Sequence, residues 1–280
     1  MLIPFEWIGP IAAGSVFIVM FSLGLLLGRE QVAAALERRT VLAAVIFAVL
    51  VPVPALAVLA AMAFSLKGPV AVGLILMAIS PGAPVALRRA LDAGGHREFA
   101  PALHLAIVLL AVVSVPASVM ILDWIFAKDF SVTPLHIAKQ VFFAQLLPMT
   151  LGATLRAWRP AIAARIEPGV ARTGNVLLLV VAIMALANLP GIIAATGWVP
   201  LVAGMLFTVL AMALGQAFAG GDAAVRPSAA LASGMRNPGL AIVIATVNRA
   251  PFGVTAAIIG YTLGMALVVI AYLQWRKRSP

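Results

Sequence analysis

Two short stretches decide the fold: Ser-Pro-Gly-Ala-Pro at residues 80–84 and Ser-Gly-Met-Arg-Asn-Pro-Gly at residues 233–239. Each interrupts an apolar segment that is otherwise long enough to be a membrane helix. Proline removes a backbone donor and clashes with the preceding turn, and glycine adds backbone freedom. Unwound backbone at membrane depth is tolerated only where protein or a water-filled cavity meets its free N–H and C=O groups. The two stretches therefore predict a binding site for ions or small polar solutes.

The composition around these stretches indicates a helical membrane protein. Of the 280 residues, 64% are hydrophobic and 10% are charged, whereas soluble domains carry roughly 25% charged residues. Repeated apolar runs reach the about 20 residues that a helix needs to cross a bilayer, and none alternates in polarity as barrel strands do. The net charge of +10 comes from short loops, so we expect a lipid bilayer and no nucleic acid as partner. The absence of cysteine excludes disulfides.

The apolar runs predict nine transmembrane helices in one integral membrane domain, residues 1–280. The third and eighth spans carry the interruptions and lie five spans apart, so they cross the membrane in opposite directions. Paired interruptions of this kind are typical of inverted-repeat transporters, with a first repeat at about 8–122 and a second at about 136–275. The alternative is two proline kinks that only shape packing. The predicted spans are 8–28, 41–64, 69–91, 99–122, 136–158, 173–194, 198–219, 226–247 and 252–275.

The basic residues predict the orientation. Fourteen fall on the side of the C-terminal tail, four (Lys67, Lys128, Lys139 and Arg249) fall on the other side, and Arg236 lies inside a span. Because cytoplasmic loops are enriched in Lys and Arg, we expect a multi-pass protein of the cell inner (plasma) membrane. Its N-terminus would lie outside and its C-terminus in the cytoplasm.

Three motifs resemble those of the bile acid:sodium symporter family. Residues 80–84 resemble that family's Cys-Pro-Gly-Gly motif, and residues 233–241 resemble its Glu-x-Gly-Met-Gln-Asn-x-Gly-Leu-Ala motif. Residues 20–25, Met-Phe-Ser-Leu-Gly-Leu, are similar to Met-Phe-x-Met-Gly-Leu of its first conserved helix. The resemblance implies the nine-helix form of the fold. A core domain with two crossing broken helices would consist of spans two, three, four, seven, eight and nine. A panel domain would consist of spans one, five and six. Substrate would bind in the crevice between the domains.

The chain departs from the family where the resemblance places sodium ligands. The motif glutamate falls on Ala232 and the motif glutamine on Arg236, and the remaining ligand positions are Ala86, Leu87, Ala100 and His104. Alanine and leucine cannot replace a cation's hydration shell, and an arginine in the same cavity would repel sodium. We therefore expect no sodium at these sites, no metal and no cofactor.

Arg236 is the most informative single residue, because an arginine inside a span usually faces a cavity or a partner. Its planar fork suits a carboxylate or phosphate; alternatively, it caps the carbonyls freed by the break. His104 is either a proton-coupling residue or a packed, hydrogen-bonded one. Arg88 and Arg89 are interfacial anchors or ligands, and Gln140, Gln145 and Asn188 are expected to hydrogen-bond between helices. The candidate substrate-binding residues are Ser80, Gly82, Ala83, His104, Ser233, Gly234, Arg236 and Asn237.

These observations predict a secondary transporter that moves a small organic anion by alternating access, without sodium coupling at the family's usual sites. An enzyme is not expected, because His96, His104 and His136 lack metalloprotease spacing and no serine has a convincing base. A channel, a facilitator or a non-transporting membrane sensor on the same fold is the alternative.

Overall fold

A computed structural model describes residues 7–28, 30, 33, 36–125 and 134–278. Within these residues the regular elements are helical, as the sequence predicts. They are α1 (Ile8–Leu25), α2 (Arg39–Leu50), α3 (Pro52–Ala63), α4 (Gly68–Ala78), α5 (Ala86–Asp92), α6 (Phe99–Ile125), α7 (Pro134–Val141), a π-helix (Phe142–Leu146), α8 (Leu147–Trp158), α9 (Pro160–Ala187), α10 (Leu189–Thr196), α11 (Val199–Phe218), α12 (Arg226–Gly234), α13 (Pro238–Val247) and α14 (Phe252–Arg278).

Length and hydropathy identify the helices that can cross a membrane. Six stretches of the described chain qualify, and Gly9–Leu25 and Gly68–Ala78 are shorter apolar helices. The all-helical, multi-pass membrane architecture is thereby confirmed. The six stretches are Arg39–Ala63, Phe99–Ile121, Pro160–Ala187, Val199–Phe218, Arg226–Val247 and Phe252–Arg278.

The two motif stretches lie between helix ends. α4 ends at Ala78 and α5 begins at Ala86, while α12 ends at Gly234 and α13 begins at Pro238. Residues 226–247 are the most enclosed membrane stretch, with 72% of their apolar window buried, against 22% for Pro160–Ala187. The second motif thus lies at the centre of the described fold, and α9 at its periphery.

Several helix boundaries differ from those predicted by hydropathy. The second span is interrupted at Val51, because Pro52 begins a new helix and takes the N1 position where its missing N–H is harmless. The fifth span contains the π-helix, which ends two residues before Pro148.

The sixth span also begins earlier than predicted. α9 starts at Pro160 rather than near residue 173, so Arg165 and Arg172 lie on a helix and not in a loop. The charges of this segment lower its hydropathy, and Pro168 and Gly169 are poor helix formers, yet α9 continues through them. For these reasons the sequence predicted a loop here, and that prediction was wrong. Two residues of the orientation count, Arg29 and Lys128, lie outside the described residues.

Two groups of helices pack closely through glycine. α1 packs against α8 and α9, and a Cβ at Gly24 of α1 would overlap the carbonyl oxygen of Met149 in α8. α11 packs against α14, where a Cβ at Gly264 would overlap the carbonyl oxygen of Leu201. α12 packs against α5 and α13 against α4, so the second motif is enclosed by the helices that flank the first.

Candidate functional site

Asn237 joins the two interruptions. Its backbone N–H donates to the carbonyl oxygen of Ser80 at 2.8 Å, and its side-chain Nδ2 donates to the carbonyl oxygen of Gly82 at 3.5 Å. Its Oδ1 accepts from the backbone N–H of Leu240 at 3.1 Å and so caps α13. The extended backbone of Asn237 is the conformation that a following proline favours. One buried residue, through its backbone and its side chain, therefore connects the two interruptions.

The first interruption is tightly enclosed. Ser80 is fully buried and its Oγ donates to the carbonyl oxygen of Leu76 at 2.7 Å, while Ala83 is 1% exposed. Gly82 has φ of +74°, and a Cβ there would lie 3.0 Å from both Oε1 of Gln145 and Cγ2 of Val108. Only glycine adopts this backbone without strain in so small a space.

Gln145 lies beside the first interruption, although the sequence indicated only an interhelical hydrogen-bonding role. It is fully buried on the π-helix, facing Gly82, and its Oε1 and Nε2 have no hydrogen-bond partner among the described residues. Buried amides are nearly always hydrogen-bonded, so an unpaired one beside an interruption is a candidate ligand group. In the sequence, Gln145 is visible only as a glutamine shortly before Pro148. In the structure it lies on a π-helix, an element that often occurs at functional sites.

Arg236 is buried, at 1% exposed, and its guanidinium contacts backbone oxygens. One terminal nitrogen donates to the carbonyl oxygens of Val49, at 3.0 Å, and of Ala78, and the other donates to that of Ser233 at 3.5 Å. These three acceptors lie in the last turns of α2, α4 and α12. The guanidinium therefore lies where three helix ends converge. The partial negative charge of helix C-termini stabilises a cation at this position.

Ser233 and Gly234 face a different neighbour. A Cβ at Gly234 would overlap the Met212 side chain of α11, and Ser233 Oγ lies against Gly215 of the same helix. The structure therefore brings Ser80, Gly82 and Asn237 together, while it places Ser233 and Gly234 at the packing surface with α11.

His104 lines a small cavity. The cavity has a volume of about 10 Å³, about the space for one water molecule. His104 Nε2 and Ser228 Oγ are buried without a hydrogen-bond partner in the described part of the chain. The lining residues are Ala86, Leu87, Ala90, Ala100, Leu103, His104, Ser228 and Ala232. Five of these lining residues stand at positions where the resemblance places sodium ligands. Among all the lining residues, the single side-chain oxygen is Ser228 Oγ.

A larger, open cavity of about 420 Å³ lies between α5 and α9. Arg88 of α5 forms an ion pair with Glu167 of α9 at its wall. Ser22 of α1 donates to the same carboxylate oxygen at 3.0 Å. Of the two roles considered for Arg88, this position is compatible with a ligand. The lining residues are Arg88, Glu167, Pro168, Ala171, Arg172, Asn175, Val176 and Leu179.

A polar cluster outside the spans connects three loops. Arg38 donates to Asp222 at 3.1 Å and contacts His96 at 3.0 Å. Burial tends to raise the pKa of the Asp222 carboxyl, but the hydrogen bonds from Arg38 and from backbone N–H groups outweigh it. The pKa of Asp222 is consequently lowered from its ordinary value of 3.8.

Metal-binding groups are scarce: no three His, Cys, Asp or Glu side chains of the described residues are grouped to hold a metal ion.

No curated protein matches the chain. The family model described as "Sodium Bile acid symporter family" matches residues 14–197, about two thirds of the chain. The match includes the first interruption, the π-helix and both walls of the larger cavity. With this match and its multi-pass helical structure, the chain belongs to the sodium bile acid symporter family, a family of membrane transporters.

Proposed function

We propose that the protein is a secondary transporter that moves a small organic anion across the cell inner (plasma) membrane by alternating access, without sodium at the family's usual sites. The observation that carries this proposal is the position of Arg236, whose guanidinium donates to carbonyl oxygens of three helix ends. The family's motif glutamine falls on this residue. A covalently attached cation neutralises the helix ends permanently, so no dissolved cation needs to bind there.

The cavity beside His104 supports the same proposal. Sodium is a hard cation that requires several oxygen ligands. Alanine and leucine line most of this cavity, and Ala232 stands where the family motif has a glutamate. His104 Nε2 provides a polar nitrogen instead. A proton-coupling role for His104 remains part of the proposal.

The proposed architecture has nine spans in two inverted repeats, with the N-terminus outside and the C-terminus in the cytoplasm. α1, α8 and α9 would form the panel, and the helices around the two interruptions the core. Their mutual packing is compatible with this division. Substrate would approach the interruptions at Ser80, Gly82, Ala83 and Asn237, with Gln145 offering a free amide from the panel side.

The proposal is tested with purified protein in liposomes. Uptake of radiolabelled small carboxylates is measured with sodium or choline as the external cation, and with or without unlabelled substrate inside. A carrier of this kind saturates, shows counter-exchange and has equal rates in both salts. A steep sodium dependence would refute the sodium proposal, and a non-saturating current would indicate the alternative, a channel.

A second experiment asks whether sodium stabilises a variant in which the family's residues are restored. Arg236→Gln combined with Ala232→Glu reintroduces the family's residues at both positions. If Arg236 replaces a bound cation, this double variant gains stability in sodium over choline, whereas the parent protein and Arg226→Gln do not. Equal stability of the folded double variant in both salts would count against the replacement.

A further inference from the structure

Arg88 connects helices from different parts of the fold. It lies on α5, Glu167 lies on α9 and Ser22 lies on α1. One terminal nitrogen of Arg88 donates to Glu167 Oε1 and, at 3.3 Å, to Ser22 Oγ. The Ser22 hydroxyl donates to Glu167 Oε1 at 3.0 Å. Each of the three side chains therefore contacts the other two.

This cluster crosses the boundary between the proposed core and the proposed panel. α1 and α9 belong to the panel, whereas α5 is the half-helix that follows the first interruption in the core. The described part of the chain contains four ion pairs. Two of them join near neighbours in sequence, and Arg38–Asp222 joins loops that lead into core helices. Among the described residues, Arg88–Glu167 is thus the single ion pair that crosses the boundary.

The cluster lies near the membrane face that carries the C-terminal tail. The carbonyl oxygen of Ala93, directly after α5, accepts from Nε of Arg276 in the last turn of α14 at 3.1 Å. Arg88 precedes Ala93 by about one and a half helical turns. Elsewhere along α1 the boundary is apolar, since a Cβ at Gly239 of α13 would lie 2.5 Å from Cγ2 of Val16. The polar cluster therefore closes the boundary near one membrane face.

Water reaches one side of the ion pair. The side chains of Arg88 and Glu167 are 33% and 13% exposed, and they line the open cavity of about 420 Å³. Separating an ion pair in a dry interior leaves two unsolvated charges, which is strongly unfavourable. Here the cavity provides water for the guanidinium and the carboxylate once they part. The pair can therefore open and close reversibly.

Ser22 and Glu167 stay together when Arg88 leaves. α1 packs closely on α9, where a Cβ at Gly174 would lie 2.5 Å from Cγ2 of Val19. Ser22 follows Val19 by about one helical turn, and Glu167 precedes Gly174 by about two. The bonds that break on separation are therefore the two that Arg88 donates, while Ser22 keeps its bond to Glu167.

We propose that Arg88, Ser22 and Glu167 form a gate that holds the core against the panel on the face that carries the C-terminal tail. This inference rests on the proposed function, because alternating access requires each face to open in turn. The gate stabilises the conformation that is closed on that face, and Arg88 leaves Ser22 and Glu167 when the face opens. Since α5 follows the first interruption, opening of the gate moves the half-helix next to residues 80–84.

A single introduced thiol measures the opening, because the chain contains no cysteine. Ala171 is 4% exposed, lies about one turn after Glu167 and lines the cavity. The rate at which a maleimide labels full-length Ala171→Cys in detergent is compared with and without Glu167→Gln. Loss of a hydrogen bond between charged groups should speed labelling about tenfold. Thr173→Cys, at an exposed position of α9, is the matched control and should be labelled equally fast with and without Glu167→Gln.

Charge reversal separates the pair from its individual side chains. Glu167→Arg brings two arginines together and should speed labelling of Ala171→Cys more than Glu167→Gln does. Adding Arg88→Glu restores the ion pair in reverse order and should return the labelling rate toward that of the parent. Arg89→Gln, which changes the exposed neighbour on α5, should leave the rate unchanged. Thermal unfolding of every variant verifies that it is folded.

A covalent link tests whether the gate must open during transport. In Arg88→Cys with Glu167→Cys, a short bis-methanethiosulfonate reagent joins the two thiols, and exchange of radiolabelled carboxylate in liposomes is measured before and after. Exchange should stop on cross-linking and return on reduction of the link. Each single-cysteine variant, treated with the same reagent, should keep its own exchange rate.

Three results would overturn the inference: equal labelling of Ala171→Cys with and without Glu167→Gln, no recovery in the folded reversed pair, or exchange that continues after cross-linking. Labelling needs no substrate, so it tests the gate even where no carboxylate is exchanged. Absence of exchange by the parent protein rejects the proposed function, whereas exchange that survives cross-linking rejects the gate alone.

Discussion

Replacing Arg236 by methionine tests whether this arginine stabilises the fold through the three helix ends. Methionine keeps an unbranched apolar side chain and has no donors, so the carbonyl oxygens of Val49 and Ala78 lose their guanidinium partner. Each buried acceptor left unpaired costs about 1–3 kcal/mol, which gives about 2–6 kcal/mol for the two. The bond to Ser233, at 3.5 Å, adds little.

An opposing effect acts on the same variant. Burying a charge is expensive, and exchanging buried ionic groups for apolar ones can stabilise a protein by about 1–4 kcal/mol. We expect the carbonyl contribution to dominate, because three helix C-termini already stabilise the cation. The free energy of unfolding should therefore fall by about 1–2 kcal/mol, which corresponds to roughly 2–8 °C in the unfolding temperature.

The assay is equilibrium unfolding in mixed detergent–SDS micelles, followed by circular dichroism. Arg226→Met is the matched control: it removes an exposed arginine from the start of α12, whose Nε donates to the carbonyl of Gly220 at 2.9 Å. Its effect should be within about 0.5 kcal/mol. An Arg236→Met protein as stable as the parent, or more stable, would refute the capping role.

Three further variants test other parts of the structure. Gly82→Ala should lower the free energy of unfolding by about 1–3 kcal/mol, since residue 82 has φ of +74°. Its control is Gly14→Ala, which has open space around it and should be neutral or slightly stabilising in the same unfolding assay. Gly24→Ala should separate α1 from α8 and reduce the unfolding temperature, and a temperature equal to the parent's would contradict the close approach. The pKa of Asp222 is lowered in the folded state, so its pairing with Arg38 stabilises the protein above pH 3.8, and this contribution is lost as the pH falls through the lowered value. The difference in free energy of unfolding between the parent and Asp222→Asn should therefore become smaller as the pH is lowered from 6 toward 3. A difference that stays constant over this pH range would show that the pairing contributes nothing.

The architecture and the two interruptions followed from the sequence because they depend on local composition. Proline and glycine within an apolar run act on the backbone wherever they occur, and apolar length alone identifies a membrane helix. Hydropathy was a poorer guide to boundaries. It excluded residues 160–172 from α9, since charged residues reduce the average hydropathy and Pro168 and Gly169 are poor helix formers.

The candidate site was predicted only where backbone chemistry determines it. Asn237 contacts Ser80 and Gly82, which the two motifs suggested. The ion pair of Arg88 with Glu167 could not be foreseen, because residues 79 positions apart in the chain meet only through tertiary packing. Gln145 was identified as polar but not as unpaired, since the partners of a side chain depend on neighbouring helices.

The glycine contacts between helices have a mechanical consequence. Lipid surrounds membrane helices with surface as apolar as their own, so close van der Waals packing holds them together. Where Gly24 brings α1 onto α8, and Gly264 brings α14 onto α11, neither pair can slide without a steric clash. Any large displacement must then occur along surfaces where longer polar side chains meet, and Arg88 with Glu167 lies on such a surface.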